Sequence, residues 1–360
     1  MTANPNDTQH MRHALRLAAR GLGSVAPNPA VGCVIVSREG RIVGRGWTAP
    51  GGRPHAETIA LAQAGSAARG STAYVSLEPC AHHGKTPPCA DALISAGVAR
   101  VVSTVRDPDP RTSGKGFEKL KQAGIEVVEG VLADEAKTLN EGFFKRITEG
   151  RPLVALKIAQ SADGKVSRGA DGDKWITREL ARRHGHLLRA QHDGILIGIG
   201  TALADDPELT CRIAGLEDRS PIRIVLDSHL RLPANSKLAQ TARDVPVLVF
   251  PTSPSGGEAL MAQGVEIVRG GADAKGRPDL AEVLRALAAR GMTRLLVEGG
   301  PSVHAAFLER GLADRVHLYQ APIVVGAKGL ADASLPVKRL ECVERRAFPP
   351  DVLESYVVTG

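Results

Sequence analysis

Three short segments constrain this chain more than any other feature: His55-Ala56-Glu57, Pro79-Cys80 and Cys89. One imidazole and two thiolates supply three ligands of a tetrahedral zinc site that keeps its fourth position for water, so the fold must carry separated segments to one point. The glutamate two residues after the histidine specifies the chemistry. Hydrolytic deamination needs a metal-activated hydroxide to attack an amidine carbon, and a carboxylate that is not a ligand to carry protons to the leaving ammonia. On this reading His55, Cys80 and Cys89 hold the metal and Glu57 is the catalytic proton shuttle. A structural zinc, with His82 or His83 as a fourth protein ligand, is the competing interpretation; a pair of ordinary buried thiols is another.

The 360 residues exceed the usual length of one domain, so two are expected, with a boundary at Gly150-Arg151-Pro152. A hydrophobic share of 43% with 24% charged residues is that of a globular chain. The net charge of +7 admits a nucleic-acid partner, but the arginines are scattered, and three Tyr, two Trp and six Phe are too few for base-stacking platforms. Anionic small molecules account for the charge equally well. Five irregularly spaced cysteines argue against a disulfide framework and for a reducing compartment. The first nine residues lack an apolar targeting segment and no long apolar run follows, so a cytoplasmic protein with no membrane partner is expected.

In order along the chain, Thr8 is expected to cap a helix reaching Arg20, followed by strands over 31–36 and 42–47 joined at Ser37-Arg38-Glu39-Gly40. Pro54 opens a helix at His55. A strand over 72–77 leads Glu78-Pro79-Cys80 into a second helix start, where the helix dipole would favour the thiolates. Strands over 98–105 and 125–128 alternate with a helix over 117–123, and one long amphipathic helix spans 132–147. That order implies a sheet covered by helices.

The second half restarts with the buried strand Leu153-Val154-Ala155-Leu156-Lys157-Ile158-Ala159. Its pair Gly198 and Gly200 lacks the spacing of a dinucleotide fingerprint. Glu298-Gly299-Gly300-Pro301-Ser302 is stronger, because it follows an apolar strand and precedes a helix, where bare backbone N–H groups can meet a pyrophosphate. Further strands are expected over 316–319 and 353–358, with no chemistry assigned to them.

Eight residues separate Cys80 from Cys89, and the insert contains His82-His83-Gly84-Lys85-Thr86-Pro87-Pro88. With Pro27-Asn28-Pro29-Ala30-Val31-Gly32, this resembles the deaminase half of the bacterial bifunctional riboflavin-biosynthesis enzymes, the diaminohydroxyphosphoribosylaminopyrimidine deaminase/reductases. Ser161-Ala162-Asp163-Gly164-Lys165, Lys174-Trp175-Ile176-Thr177 and the run from Thr201 to Arg212 resemble their reductase half, so the likeness spans nearly the whole chain. It implies an α/β protein with a cytidine-deaminase-like three-layer αβα domain over 1–150. A dihydrofolate-reductase-like α/β domain would follow over 151–360.

The resemblance further implies Zn2+ and NADPH as cofactors, a pyrimidine ribosyl phosphate as substrate, and a homo-oligomer. It sets Asn28 against the pyrimidine and the loop Asp107-Pro108-Asp109-Pro110 near it. His82 and Lys85 are either phosphate or ring contacts or part of a solvated loop. Ala159, Trp175, Thr201, Asp205 and Ser228 would lie along NADPH, with Gly300, Pro301, Ser302, Val303, His304, Ala305 and Ala306. Lys157, Arg189, Leu209, Arg212 and Glu298 would face the substrate. Ser228 and Arg231, after the strand over 222–226, are candidates for reading the 2′-phosphate. Asp173 departs from the family pattern, which has a serine there. The alternative is a nucleic-acid or nucleoside deaminase with a non-catalytic second domain.

Overall fold

The computed structural model describes residues 5–82, 87–167, 175–331 and 339–359, and the chain divides into two compact units, Met1–Gly150 and Arg151–Gly360.

The first unit is built on α1 (Pro5–Ala18), β1 (Gly32–Val36), β2 (Ile42–Trp47), α2 (Ala56–Ala64), β3 (Thr72–Val75), α3 (Cys89–Ser95), β4 (Arg100–Ser103), α4 (Lys115–Gln122), β5 (Glu126–Val128), α5 (Ala133–Leu139) and α6 (Glu141–Glu149). Its sheet runs β2-β1-β3-β4-β5. β1 is antiparallel to both neighbours, while β3, β4 and β5 are parallel. All five residues of β1 are buried, as a continuous apolar run in a strand covered on both faces should be. Two glycines set how closely the helices approach. A Cβ at Gly32 would collide with the Ala14 carbonyl of α1, and one at Gly46 with the Ala56 carbonyl of α2. Gly32 pairs with Trp47 and Gly46 with Cys33, so the two glycines point to opposite faces, α1 lying on one and α2 on the other.

Three sequence expectations need correction here. Thr8 is not a cap: the helix already runs at Pro5, and Asp7 in its first turn is buried against Tyr74 and Arg100. The strand over 72–77 ends at Val75, and Cys80 does not begin a helix; α3 starts at Cys89, after Pro87 and Pro88. The single helix over 132–147 is two, broken at Asn140. That side chain accepts from the Ala30 N–H and donates to the Ala30 carbonyl, each at 2.9 Å, which holds the Pro-Asn-Pro loop against the break.

The second unit comprises β6 (Leu153–Ser161), β7 (Lys165–Ser167), α7 (Glu179–Ala190), β8 (Gly194–Gly198), α8 (Ile199–Asp205), β9 (Ile222–Leu226), α9 (Lys237–Gln240), β10 (Val247–Phe250), α10 (Glu258–Ala262), β11 (Glu266–Ile267), α11 (Leu280–Ala289), β12 (Arg294–Val297), α12 (Pro301–Glu309), β13 (Arg315–Ala321), β14 (Leu330–Ala331), β15 (Leu340–Phe348) and β16 (Asp351–Val358). Nine strands form one sheet in the order β11-β10-β9-β8-β12-β6-β13-β16-β15; β14 pairs with β7. The seven strands from β11 to β13 are parallel, and β16 and β15 close the edge antiparallel. Alternate residues feed two cores. Ile195, Ile197, Val225 and Leu296 pack with Leu188 of α7 and Leu260 of α10, whereas Leu196, Ile224, Leu295 and Val297 pack with Leu284 of α11 and Phe307 of α12. Helices therefore cover both faces, and the carboxyl ends of β6, β8, β9 and β12 lie along one edge, where α/β folds place ligands.

Candidate functional site

In the first unit His55 is the residue before α2, Glu57 lies in that helix's first turn, Cys80 sits in the loop after β3, and Cys89 begins α3. The ligand atoms of His55, Cys80 and Cys89 all lie within 4.8 Å of one another. His55 Nδ1 is 3.3 Å from Cys89 Sγ and 3.7 Å from Cys80 Sγ. Zinc bonds of about 2.0–2.1 Å to nitrogen and about 2.3 Å to sulfur, at tetrahedral angles, require an N···S separation of about 3.6 Å. The donor set fits the ion in both chemistry and spacing. The side-chain hydrogen bond with Cys89, then that with His55, holds the Cys80 thiol down at about 4, and the Cys89 N–H, donating to Cys80 Sγ at 3.2 Å, adds to this. Glu57 is 3% exposed, and burial, followed by the Cys80 charge, pushes it up to about 7.

Around this cluster, Asn28 Nδ2 donates to the Gly52 carbonyl at 2.8 Å, which ties the Pro-Asn-Pro loop to the segment entering His55. His82 Nδ1 lies 3.2 Å from Thr112 Oγ1. His83, Lys85 and Asp173 lie outside the described residues. Sequence reasoning passed over Glu78. Its buried carboxylate accepts from the N–H groups of Asp107 (3.1 Å), Gly114 (2.9 Å), Gly116 (2.9 Å) and Phe117 (3.4 Å), holding the 107–117 segment beside Cys80. The one sequence signal was a carboxylate at the end of an apolar strand, two residues before a ligand. Asp107, on that segment, is pushed up to about 7 by burial.

In the second unit Glu298, one residue past β12, meets Arg189 of α7 in a two-pronged ion pair, Nε to Oε1 at 2.8 Å and Nη2 to Oε2 at 2.9 Å. Lys157 Nζ of β6 lies 3.9 Å from the same carboxylate. Burial opposes the charge on Glu298, yet Arg189 and Lys157 hold it at about 2. Arg189 Nη1 also donates to the Thr210 carbonyl at 3.0 Å, beside Leu209, which is buried with a positive φ of 58°. Arg212 is set apart: its backbone N–H reaches His186 Nδ1 at 3.3 Å, but its guanidinium pairs with Glu208 at the surface.

The proposed cofactor residues divide as well. Gly299 has no room for a Cβ, which would lie 2.5 Å from the Cα of Ile197, and Gly300, at φ 59°, faces Thr201 Oγ1. β8 and β12 therefore end in contact. Ala159 lies on β6, Asp205 ends α8, and the carbonyl of Ser228, after β9, accepts from Thr252 and Ser253 N–H groups. Pro301, Ser302, His304 and Ala305 belong to the first turns of α12, Ser302 exposed and His304 buried, while Val303 and Ala306 pack into the core. Trp175 is 47% exposed beneath the guanidinium of Arg182 at 5.0 Å. The strand over 316–319, expected to carry no chemistry, places its Tyr319 hydroxyl 2.6 Å from His184 Nδ1 and its ring 5.8 Å from Lys157 Nζ. Two polar residues at alternate positions of a buried strand, His317 and Tyr319, were the available signal.

Residues 4–105 match the family described as the cytidine and deoxycytidylate deaminase zinc-binding region, and residues 152–353 match the RibD C-terminal domain. The class defined by fold and site is a zinc-binding deaminase unit joined to a RibD-type second unit. The riboflavin biosynthesis protein RibD of Aquifex aeolicus is 42% identical over 93% of this chain and 92% of its own length. That of Escherichia coli is 41% identical over 92% and 91%. Among solved structures, RibD of Acinetobacter baumannii superposes with a TM-score of 0.87 at 37% identity, covering 99% of both chains. A Thermotoga maritima protein described as a diaminohydroxyphosphoribosylaminopyrimidine deaminase/5-amino-6-(5-phosphoribosylamino)uracil reductase does so at 0.86 and 36%, covering 98% and 99%. The chain belongs to the RibD family of riboflavin biosynthesis proteins. As a member it is a bifunctional enzyme, deaminase and reductase in one chain, with zinc and NADPH as cofactors. Among the described residues no helix is long and apolar enough to cross a membrane.

Proposed function

We propose that the first unit deaminates 2,5-diamino-6-(5-phosphoribosylamino)pyrimidin-4-one and that the second reduces the ribosyl group of the product to a ribityl chain, giving 5-amino-6-(5-phosphoribitylamino)uracil. The observation that carries the reading is the convergence of His55, Cys80 and Cys89 on one point beside a buried carboxylate, Glu57. His55, Cys80 and Cys89 hold the zinc, which when bound lowers the pKa of water and so provides hydroxide at neutral pH. Glu57 takes a proton from the attacking water at its carboxylate and delivers it to the ring nitrogen; it then carries a second proton, lost from the new hydroxyl as the carbonyl forms, to the departing amine, which leaves as ammonia. Asn28, fixed by Gly52, orients the pyrimidine.

In the second unit NADPH supplies the hydride. Arg189 spends three of a guanidinium's five donors on Glu298 and Thr210, and its remaining N–H groups face the substrate phosphate. Glu298 keeps Lys157 and Arg189 in place by charge. Leu209 and Arg212 border the substrate, while Ala159, Trp175, Thr201, Asp205, Ser228 and the 300–306 segment line the cofactor. Arg231, exposed after β9, reads the 2′-phosphate with Ser228. The protein acts as a cytoplasmic homo-oligomer on a small molecule, with no nucleic-acid partner. Incubation of the purified chain with the pyrimidine phosphate tests this reading by product mass. Without NADPH the product should correspond to exchange of an amino group for oxygen; with NADPH, two further hydrogens should appear. Failure of either mass change removes that half of the reading.

A further inference from the structure

The first unit has a groove of about 720 Å³ along α1 and the edge strand β2, lined by His10, His13, Arg16, Arg20 and Arg45, with Leu17 and Ile42 beneath them. It lies on the α1 face of the sheet, opposite the face covered by α2 and hence apart from His55 and Glu57. No carboxylate lines it. Asp7, the acid nearest along the helix, is buried against Arg100 and Tyr74, and Glu135 meets Arg12 at 3.7 Å on the rim. Two of these side chains are held in position by rings: Arg20 lies 4.8 Å above Trp47, and His10 packs 4.9 Å from Tyr74. Arg16 and Arg45 are exposed and make no ion pair among the described residues. His13 reports the local field, held below its ordinary range first by burial and then by Arg45, His10 and Arg16.

We propose that this groove is a second anion-binding site, which takes the phosphates of a small di- or triphosphate ligand. Guanidinium groups match phosphate oxygens in geometry and charge. The volume falls within the roughly 300–1,000 Å³ of small-molecule pockets. Single-stranded nucleic acid fits less well, because it needs open aromatic faces, and Trp47 is covered by Arg20 while Tyr74 is buried beside His10.

The test uses the zinc-loaded full chain, saturated with NADP+ to fill the cofactor site, and inorganic pyrophosphate as probe. Calorimetry should show saturable binding, and the His13 ring resonances should shift, with the His13 pKa rising as the anion offsets its cationic neighbours. The double variant R16Q/R45Q removes two exposed charges outside both catalytic clusters, so it should fold and deaminate at the parent rate without pyrophosphate. It should bind the probe roughly tenfold or more weakly and lose the His13 response. Unchanged pyrophosphate affinity in the variant, or a His13 resonance that does not move at millimolar probe, would overturn the proposal. So would binding of single-stranded RNA that is sensitive to the variant, with no response to pyrophosphate.

Discussion

The two units keep charge in opposite ways. In the first, the ligand atoms of two thiols and an imidazole crowd within 4.8 Å, a donor set that fits a metal ion. In the second, Glu298 is held between Arg189 and Lys157 by ion pairs of 2.8 to 3.9 Å, one carboxylate against two cations. A cluster that needs an ion declares its chemistry through its donors. A cluster whose charges already pair, with one positive charge left over for an anionic substrate, is a scaffold that positions a cofactor and substrate carrying their own reactivity. Losing one member should therefore abolish activity in the first case, and in the second should also cost stability.

The largest effect expected is from Cys89→Ala. Zinc content by metal analysis should fall from one per chain towards none and ammonia release should cease, while reduction of pre-deaminated substrate continues. Retention of both metal and deamination would mean that Cys89 is no ligand. Next is Glu57→Gln, which keeps the shape of the buried side chain and removes its proton-carrying capacity. Zinc should stay bound while deamination drops about 10²–10⁴-fold; a loss of only a few-fold would move the proton role elsewhere.

Glu298→Gln sharpens the comparison from the other side, because it leaves the partly buried Arg189 and Lys157 without their counter-charge. Breaking a fully buried pair costs about 3–5 kcal/mol, and this partly exposed one should cost less. With Trp47→Phe in the background, Trp175 is the one remaining indole and its fluorescence follows urea unfolding of the second unit. A midpoint unchanged by Glu298→Gln would show that the carboxylate does not stabilise the two cations in the fold. The smallest effect is in pH. Burial holds His186 and His317 at about 4, against an ordinary 6.5, so both are neutral in the fold. Their contribution to stability is complete above pH 6.5 and is lost as pH falls through 4; Glu298, held at about 2 against 4.5, adds a second loss below pH 4.5. The Trp175 midpoint should decline across the first window, and His317→Gln, which can keep a hydrogen bond to Ser355, should flatten part of that decline. A flat profile from pH 6.5 to 4 in the parent chain would refute the neutral-histidine account.

This asymmetry explains what the sequence made legible. His55, Glu57, Cys80 and Cys89 could be read directly, because metal chemistry restricts residue type and the spacing is short. The alternation of strands and helices was also readable from apolar runs such as Val154 to Leu156. Lys157, Arg189 and Glu298 came only through resemblance, since nothing local distinguishes a lysine in a buried strand that will meet a carboxylate more than a hundred residues later. The misplaced breaks have the same origin. The amphipathic pattern over 132–147 continues through Asn140, and only the distant Ala30 backbone explains why the helix stops there. Tyr319 and Glu78 were missed because their partners, His184 and the 107–117 amides, are fixed by tertiary contact.

The carboxylate of Glu78 has a practical bearing on where the deaminase half ends. The matched zinc-binding region stops at residue 105, yet all four amides that Glu78 accepts from lie between 107 and 117. A chain ended at 105 would keep every metal ligand and the proton shuttle. It would also leave an acid in the interior with no amide to solvate it, two residues from Cys80, and the Pro-Asn-Pro loop without its Asn140 tether. The smallest autonomous deaminase is thus set by hydrogen-bond solvation of one acid and one loop, and it runs past residue 140.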